Sequence, residues 1–424
     1  MHRLTLMNAR LVDADLADTR PATIVIDGDR ISAVNFDGAP PALPDELRLD
    51  LGGRSVMPGM INCHYHATYH NVGGAPLLPV GMDAPPPLQA MRAMHHLQLA
   101  LRSGFTGVVS GGAPFAIDAS AKMAIEAGLF QGPRIVAGSR DVSSTGHSQD
   151  SSYPWYWEGS PPGIVRTDGA DAYRRAVREE VRRGAEIIKI FLTSGHAVPG
   201  VPAPMDLTRE ELAAAISAAH ERLVKVRAHI ATRAAILTAV ELGIDVVDHG
   251  DGLDAECIDR LVAAGTFLVP SCLYTYRVSR MFSGAWADRI RRDTDLMLEV
   301  LPAANKAGVK LLLGDDFGAV PLDHGMYADE LEFYVRTAGI AARDVIGWAT
   351  RNGAALMGLG DELGSIRPGF LADLLVVDGD PLVDISILKD RSRLLLILKA
   401  GAVIVHDQHA LPALAPGAER RVAG

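Results

Sequence analysis

Two histidines, His64 and His66, close the apolar run Val56-Met-Pro-Gly-Met-Ile-Asn-Cys-His-Tyr-His. Side chains at i and i+2 of a β-strand leave the same face, so both imidazoles reach one point and make half of a metal chelate. A lone His-x-His is common by chance, and its meaning depends on what else the chain supplies. It supplies a lysine, two further histidines and an acid, each at the end of a strand-like run.

Lys189 lies inside Glu186-Ile-Ile-Lys-Ile-Phe-Leu. An ammonium there costs several kcal/mol unless it is neutralised, paired or modified. The bland reading is a lysine that snorkels out at the strand end, or one held in a local ion pair. With histidines converging nearby, the sharper reading is addition of CO2 to the neutral amine, the carbamate then bridging two cations. His229 ends Lys225-Val-Arg-Ala-His and His249 ends Ile244-Asp-Val-Val-Asp-His, a spacing of strand, helix and strand. That places them at the C-terminal ends of consecutive parallel strands, where (β/α)8 active sites lie. Asp315 and Asp316 follow Lys310-Leu-Leu-Leu-Gly, and one of the two would ligate a metal and take a proton from water. Spacing leaves the choice between them open.

The elements that must position these groups are an α/β alternation. Strands are expected at 58–63, 106–110, 134–138, 186–192, 225–229, 245–249, 266–270 and 309–314, and eight parallel strands close naturally as a barrel. Between them, 172–183 sets Tyr173, Ala176, Val177 and Val181 on one helical face before Gly184; Thr208 and Glu211 form a capping box; Thr232 opens a helix that ends by Gly243. The two ends differ, being short alternating strands with Asp-Gly turns. The expected fold is therefore α/β, a (β/α)8 TIM barrel over 58–364 inserted in a small β-sandwich made of 1–57 and 365–424.

Composition narrows the function. Of 424 residues, 41 are basic and 51 acidic, a net charge of -10 with no basic patch, which argues against nucleic acid and anionic membrane as partners. Cys63, Cys257 and Cys272 are too scattered for a disulfide framework and are expected as buried thiols. No apolar stretch of 18 residues and no signal-peptide core is present, so a cytoplasmic location is expected.

Taken together, these segments resemble the amidohydrolase superfamily, in its imidazolonepropionase-like and prolidase-like branch. Pro58-Gly-Met-Ile-Asn-Cys-His-Tyr-His is similar to the "PGxIDxHxH" signature, Ile187-Ile-Lys-Ile to the carboxylated-lysine strand, Asp248-His-Gly to "EHG" and Gly314-Asp-Asp-Phe-Gly to "GTDxG". Asp323-His-Gly-Met-Tyr-Ala-Asp-Glu-Leu matches the "HG...EL" helix, and Gly364-Ser-Ile-Arg-Pro-Gly-Phe-Leu-Ala-Asp-Leu matches the return to the terminal domain. The resemblance spans essentially the whole chain. It implies two divalent ions, usually zinc: one held by His64, His66 and Asp316, the other by His229 and His249, with carboxylated Lys189 and a hydroxide between them. It also implies that Asp316, rather than Asp315, shuttles the proton during attack on an amide carbonyl.

Departures are Asn62 and Asp248, where relatives carry Asp and Glu, and Leu207, which weakens a direct transfer of prolidase specificity. His147 resembles a substrate-contacting histidine of prolidase-like members. Trp155 and Trp157, with Tyr274 after strand seven, would make an apolar lid, and Arg166 would meet a substrate carboxylate. Packing of the aromatic loop is the competing reading. His95, His96, His196, His220, His406 and His409 are expected outside the converging set. The expected substrate is an N-acyl amino acid or a dipeptide, Xaa-Pro-like; a cyclic-amide hydrolase or deaminase and a non-catalytic scaffold are the alternatives. A homo-oligomer is expected.

Overall fold

Apolar residues alternate along the first strands and pack Leu4, Leu6, Ile24 and Ile26 under one sheet. In the computed structural model, which describes residues 3–16, 20–44, 46–74, 78–146, 156, 159–196 and 205–411, β1 (Leu4–Leu11) pairs antiparallel with β2 (Pro21–Asp27), and β2 with β3 (Arg30–Asn35). The β2–β3 turn needs Gly28, whose φ of 66° is left-handed. β4 (Leu47–Asp50) and β5 (Ser55–Pro58) run parallel to β1.

The chain then builds parallel strands: β6 (Met60–Tyr65), β7 (Phe105–Ser110), β8 (Arg134–Val136), β9 (Gly138–Ser143), β10 (Ile164–Arg166), β11 (Ile187–Phe191), β12 (Lys225–Ile230), β13 (Val246–His249), β14 (Phe267–Val269) and β15 (Lys310–Leu311). They pair as β6-β7-β8 and as a seven-stranded sheet β10-β9-β11-β12-β13-β14-β15. Amphipathic helices alternate with them, so the fold is mixed α/β. β16 (Leu374–Val377), β17 (Leu394–Lys399) and β18 (Ala402–His406) return to the first sheet, where β16 pairs with β5.

Several boundaries shift for local reasons. The expected strand 58–63 begins at Met60, because Pro58 belongs to β5 and Gly59 turns between sheets; a Cβ there would meet Thr106 Oγ1 at 2.2 Å. The strand at 134–138 is interrupted at Ala137, whose carbonyl accepts from both Glu186 N and Ile187 N. The strand at 309–314 keeps only Lys310–Leu311 in the ladder, yet Cys63 N still donates to Leu313 O at 2.7 Å. In the helix Ala170–Arg182, Glu180 rather than Val181 is buried, because its carboxylate receives the Arg140 guanidinium and Arg140 N.

The caps are as expected. Thr208 Oγ1 accepts from Glu211 N at 3.2 Å, and Glu211 Oε2 accepts from Thr208 N at 2.8 Å. Thr232 caps Arg233–Glu241. Thr208→Ala should lower stability by about 1 kcal/mol, read as a shifted urea midpoint; an unchanged midpoint would show that Glu211, which also accepts Gly169 N, holds this turn alone. The three cysteines are free and buried. Among the described residues no helix is long and apolar enough to cross a membrane.

Candidate metal centre

The C-terminal ends of the parallel strands carry the polar cluster. His64, the penultimate residue of β6, has its Nε2 at 3.1 Å from His66 Nε2, and both atoms face Asp316 Oδ1, at 3.2 and 3.3 Å. Their orientation is fixed from behind. His66 Nδ1 lies 3.1 Å from the Gly112 carbonyl, a pure acceptor, so Nδ1 carries the proton and Nε2 presents a lone pair. Tyr69 stacks on the His66 ring at 3.9 Å. Gly111 is required alongside, since a Cβ there would stand 2.5 Å from His66 Nε2.

Across the cluster, His229 ends its run stacked on Phe191, and its ring centroid is 4.3 Å from that of His249. His249 adopts φ 69°, a left-handed backbone that a non-glycine residue holds only when its surroundings impose it. Potential ligand atoms form two groups, His64 with His249 and Asp316, and His196 with His229 and His249; within each, the atoms lie within 4.8 Å of one another. His229 Nε2 and His249 Nδ1 are buried with no hydrogen-bond partner among the described residues. Orphaned lone pairs of that kind are costly unless a cation takes them.

Electrostatics point the same way. Burial pushes His66 down to about 4 and holds His229 and His249 well below the ordinary imidazole range, so these rings are neutral, the form that binds metal. Burial would raise Asp316, but the His64 imidazole beside it, 3.2 Å from Oδ1, outweighs it and keeps this carboxyl well below its ordinary value. Asp315 turns away, accepting from Tyr274 N at 3.0 Å and Asp316 N at 2.8 Å, and burial with the Asp316 charge pushes it up to about 7.

Lys189 Nζ donates to Asp248 Oδ2 at 2.6 Å beneath the cluster. Arg227, fully buried, grips both oxygens of Asp248 at 2.6 and 3.0 Å and donates to the Cys63 and Ser110 carbonyls. Asp248 Oδ1 also lies 3.5 Å from His64 Nδ1, and Asn62 Oδ1 accepts His64 N at 3.1 Å. The two departures therefore brace a histidine without belonging to either ligand group.

Expectation and structure part at His196. It lies inside the converging set, its ring centroid 5.1 Å from His229 and 4.7 Å from His249, with Nε2 at 2.6 Å from Asp251 Oδ2. His196 follows β11 on a loop, where periodicity carries no directional information. His220 pairs with Asp245 at the surface. His96 is buried and stacks on His324 at 3.8 Å, and His324 Nε2 sits 3.1 Å from Tyr69 O, bracing the tyrosine that covers His66. Tyr274 is buried beside this end of the strands, its hydroxyl pushed above its ordinary value by burial and by Asp316 and Asp315. Arg166 ends β10 and is exposed, in register with Ser143. His147, Trp155 and Trp157 lie outside the described residues.

Residues 55–404, which include every member of this cluster, match the Amidohydrolase family. The chain belongs to the amidohydrolase family. As an amidohydrolase it is a hydrolase of carbon–nitrogen bonds, of a family that is generally metal-dependent. It is 27% identical to ochratoxinase of Aspergillus niger over 424 residues, covering 92% of this chain and 84% of that one. To imidazolonepropionase of Xanthomonas campestris pv. campestris it is 25% identical over 423 residues, 89% and 93% of the two chains. The amidohydrolase fold superposes on a prolidase complexed with N-methylphosphonate-L-proline with a TM-score of 0.84 at 29% identity, covering 95% of this chain and all of the other.

Proposed function

We propose that this amidohydrolase cleaves the amide or peptide bond of a small N-acyl amino acid or dipeptide, Xaa-Pro-like substrates included, at a centre of two divalent ions, zinc foremost. The observation that carries the reading is the pair of donor groups meeting at His249, with buried imidazole nitrogens that have no other partner among the described residues. His64, His66 and Asp316 would hold one ion and His229 and His249 the other, with carboxylated Lys189 between them. Similarity to a prolidase and to ochratoxinase over most of the chain supports the amide substrate. The imidazolonepropionase relationship keeps cyclic amides as the second reading.

The scaffold of this reading is a (β/α)8 barrel over 58–364, supported by β8 and β9 being separated by the single residue Ala137 and by the Cys63–Leu313 hydrogen bond between the first and last strand segments. Residues 1–57 and 365–424 would form the β-sandwich around the β5–β16 pairing. Divalent ions at such a site polarise a carbonyl and lower the pKa of water. The chain's own part is to hold neutral imidazoles in fixed tautomers and to keep Asp316 ionised, so that it takes a proton from the attacking water and returns it to the leaving nitrogen. Tyr274, with His147, Trp155 and Trp157, would wall the substrate pocket, and Arg166 would meet its carboxylate.

Purified protein should carry about two divalent ions per chain and hydrolyse N-acyl amino acids or Xaa-Pro dipeptides in preference to lactams. Lys189→Ala should bind at most one ion and lose activity, with partial return on adding a short carboxylic acid and metal. Elemental analysis near one ion, unchanged by zinc or manganese during expression, sinks the two-ion centre; turnover of lactams alone moves the substrate to the cyclic reading.

A further inference from the structure

We infer that His196, oriented by Asp251, is a third imidazole ligand at the ion position formed by His229 and His249. This rests on the metal-dependent reading above and adds to it a ligand that the strand-end motifs do not contain. His196 is buried, and a buried imidazole needs a reason for its orientation. Here the reason is visible. Asp251 Oδ2 lies 2.6 Å from Nε2, so Nε2 carries a proton toward the carboxylate, and the other ring nitrogen, Nδ1, is left as the donor. A carboxylate behind one imidazole nitrogen and a cation before the other is the usual arrangement of metal-ligating histidines.

The backbone is held as well. Trp286 Nε1 donates to His196 O at 2.8 Å, pinning the loop from the neighbouring helix. Asp251 lies just past His249 in a turn where Gly252 has no room for a side chain, since a Cβ would stand 2.3 Å from Arg233 N. One short segment thus supplies both a ligand and the brace of another. The rings of His229 and His249 meet His196 at 68° and 85°, edge to face rather than stacked, as imidazoles do when they radiate around a common point. Two nitrogens on one ion at about 2.1 Å are at most about 4.2 Å apart. Donors already within 4.8 Å of one another reach that with small side-chain shifts. The second, independent observation is the pair of orphaned nitrogens, His229 Nε2 and His249 Nδ1, in the same buried space.

The test is metal binding to the chelator-stripped full chain, followed by calorimetry with Zn2+ and by the visible absorption of bound Co2+. Four proteins are compared: wild type, His196→Ala, Asp251→Asn and His66→Ala, each checked for unchanged far-UV circular dichroism and melting temperature. Asp251→Asn keeps the side-chain volume and serves if His196→Ala folds poorly. The expected result is a loss of about 10²-fold in affinity at one of two positions in His196→Ala and of about 10- to 100-fold in Asp251→Asn, with a changed Co2+ spectrum. His66→Ala should spare that position and weaken the other. Two wild-type positions, both left within about twofold by His196→Ala, overturn the inference and leave the two-ion reading standing. A single wild-type position weakened by His196→Ala but not by His66→Ala does the reverse. No binding by the wild type overturns both.

Discussion

Asp316→Asn should lower kcat by about 10²- to 10⁴-fold, the usual contribution of a general acid–base group and equivalent to about 2.7–5.4 kcal/mol of barrier. Asn cannot accept a proton at any working pH, whereas Asp316 is held ionised against its burial by the His64 imidazole beside it. The substitution is nearly isosteric, so the apolar packing around Phe317 has no reason to change. Asp315→Asn is the internal control: that carboxyl is spent on Tyr274 N and Asp316 N and faces away from the histidines. It should lose stability more than kcat. Equal losses of kcat from the two variants would leave the proton-transfer assignment without support.

Arg227→Met should destabilise the fold by about 3–5 kcal/mol, the range seen when one partner of a buried ion pair is removed. The guanidinium is fully buried and is the main neutralising partner that overcomes burial to hold Asp248 well below its ordinary value, with Lys189 next. It also satisfies the carbonyls of Cys63 and Ser110 on two strands. Methionine fills much of the volume and supplies none of these donors. Arg227→Lys should fall between, because an ammonium cannot make the fork on Asp248 and still reach both carbonyls. Urea denaturation reads the effect; a midpoint equal to that of the parent would show that the buried Arg227–Asp248 pair adds nothing to stability.

The histidine pair at 64 and 66 was legible because a strand repeats every two residues, so spacing alone fixes the face. Lys189 was legible for the opposite reason, a polar group where its neighbours demand burial. The capping box at Thr208 and Glu211 is a local signal and survives into the structure. Arg227 was not legible. In Lys225-Val-Arg-Ala-His it reads as the polar half of an ordinary alternation, and only the tertiary pairing with Asp248 and two carbonyls reveals it as buried. His196 and Asp251 escaped because each sits on a loop, and the aim of a loop side chain depends on contacts far away in sequence. Glu180 is buried more fully than its neighbour Val181 in the same way, through an arginine on β9. Sequence periodicity thus located the strand-end donors, while the groups that brace them were set by long-range polar pairing.

The antiparallel register of Met57 with Leu375 ties the chain just ahead of His64 to a segment far along the sequence, made only after the whole α/β portion. At roughly 5–20 residues per second, the ribosome needs tens of seconds to deliver that partner strand. During this interval the α/β portion can begin to assemble, but β5 has no β16 to lie against, and its apolar edge is open to solvent and to other chains. Arrival of β16, β17 and β18 covers that edge. A nascent or truncated chain lacking them would be exposed at its entry strand, a natural point of surveillance for chaperones and proteases.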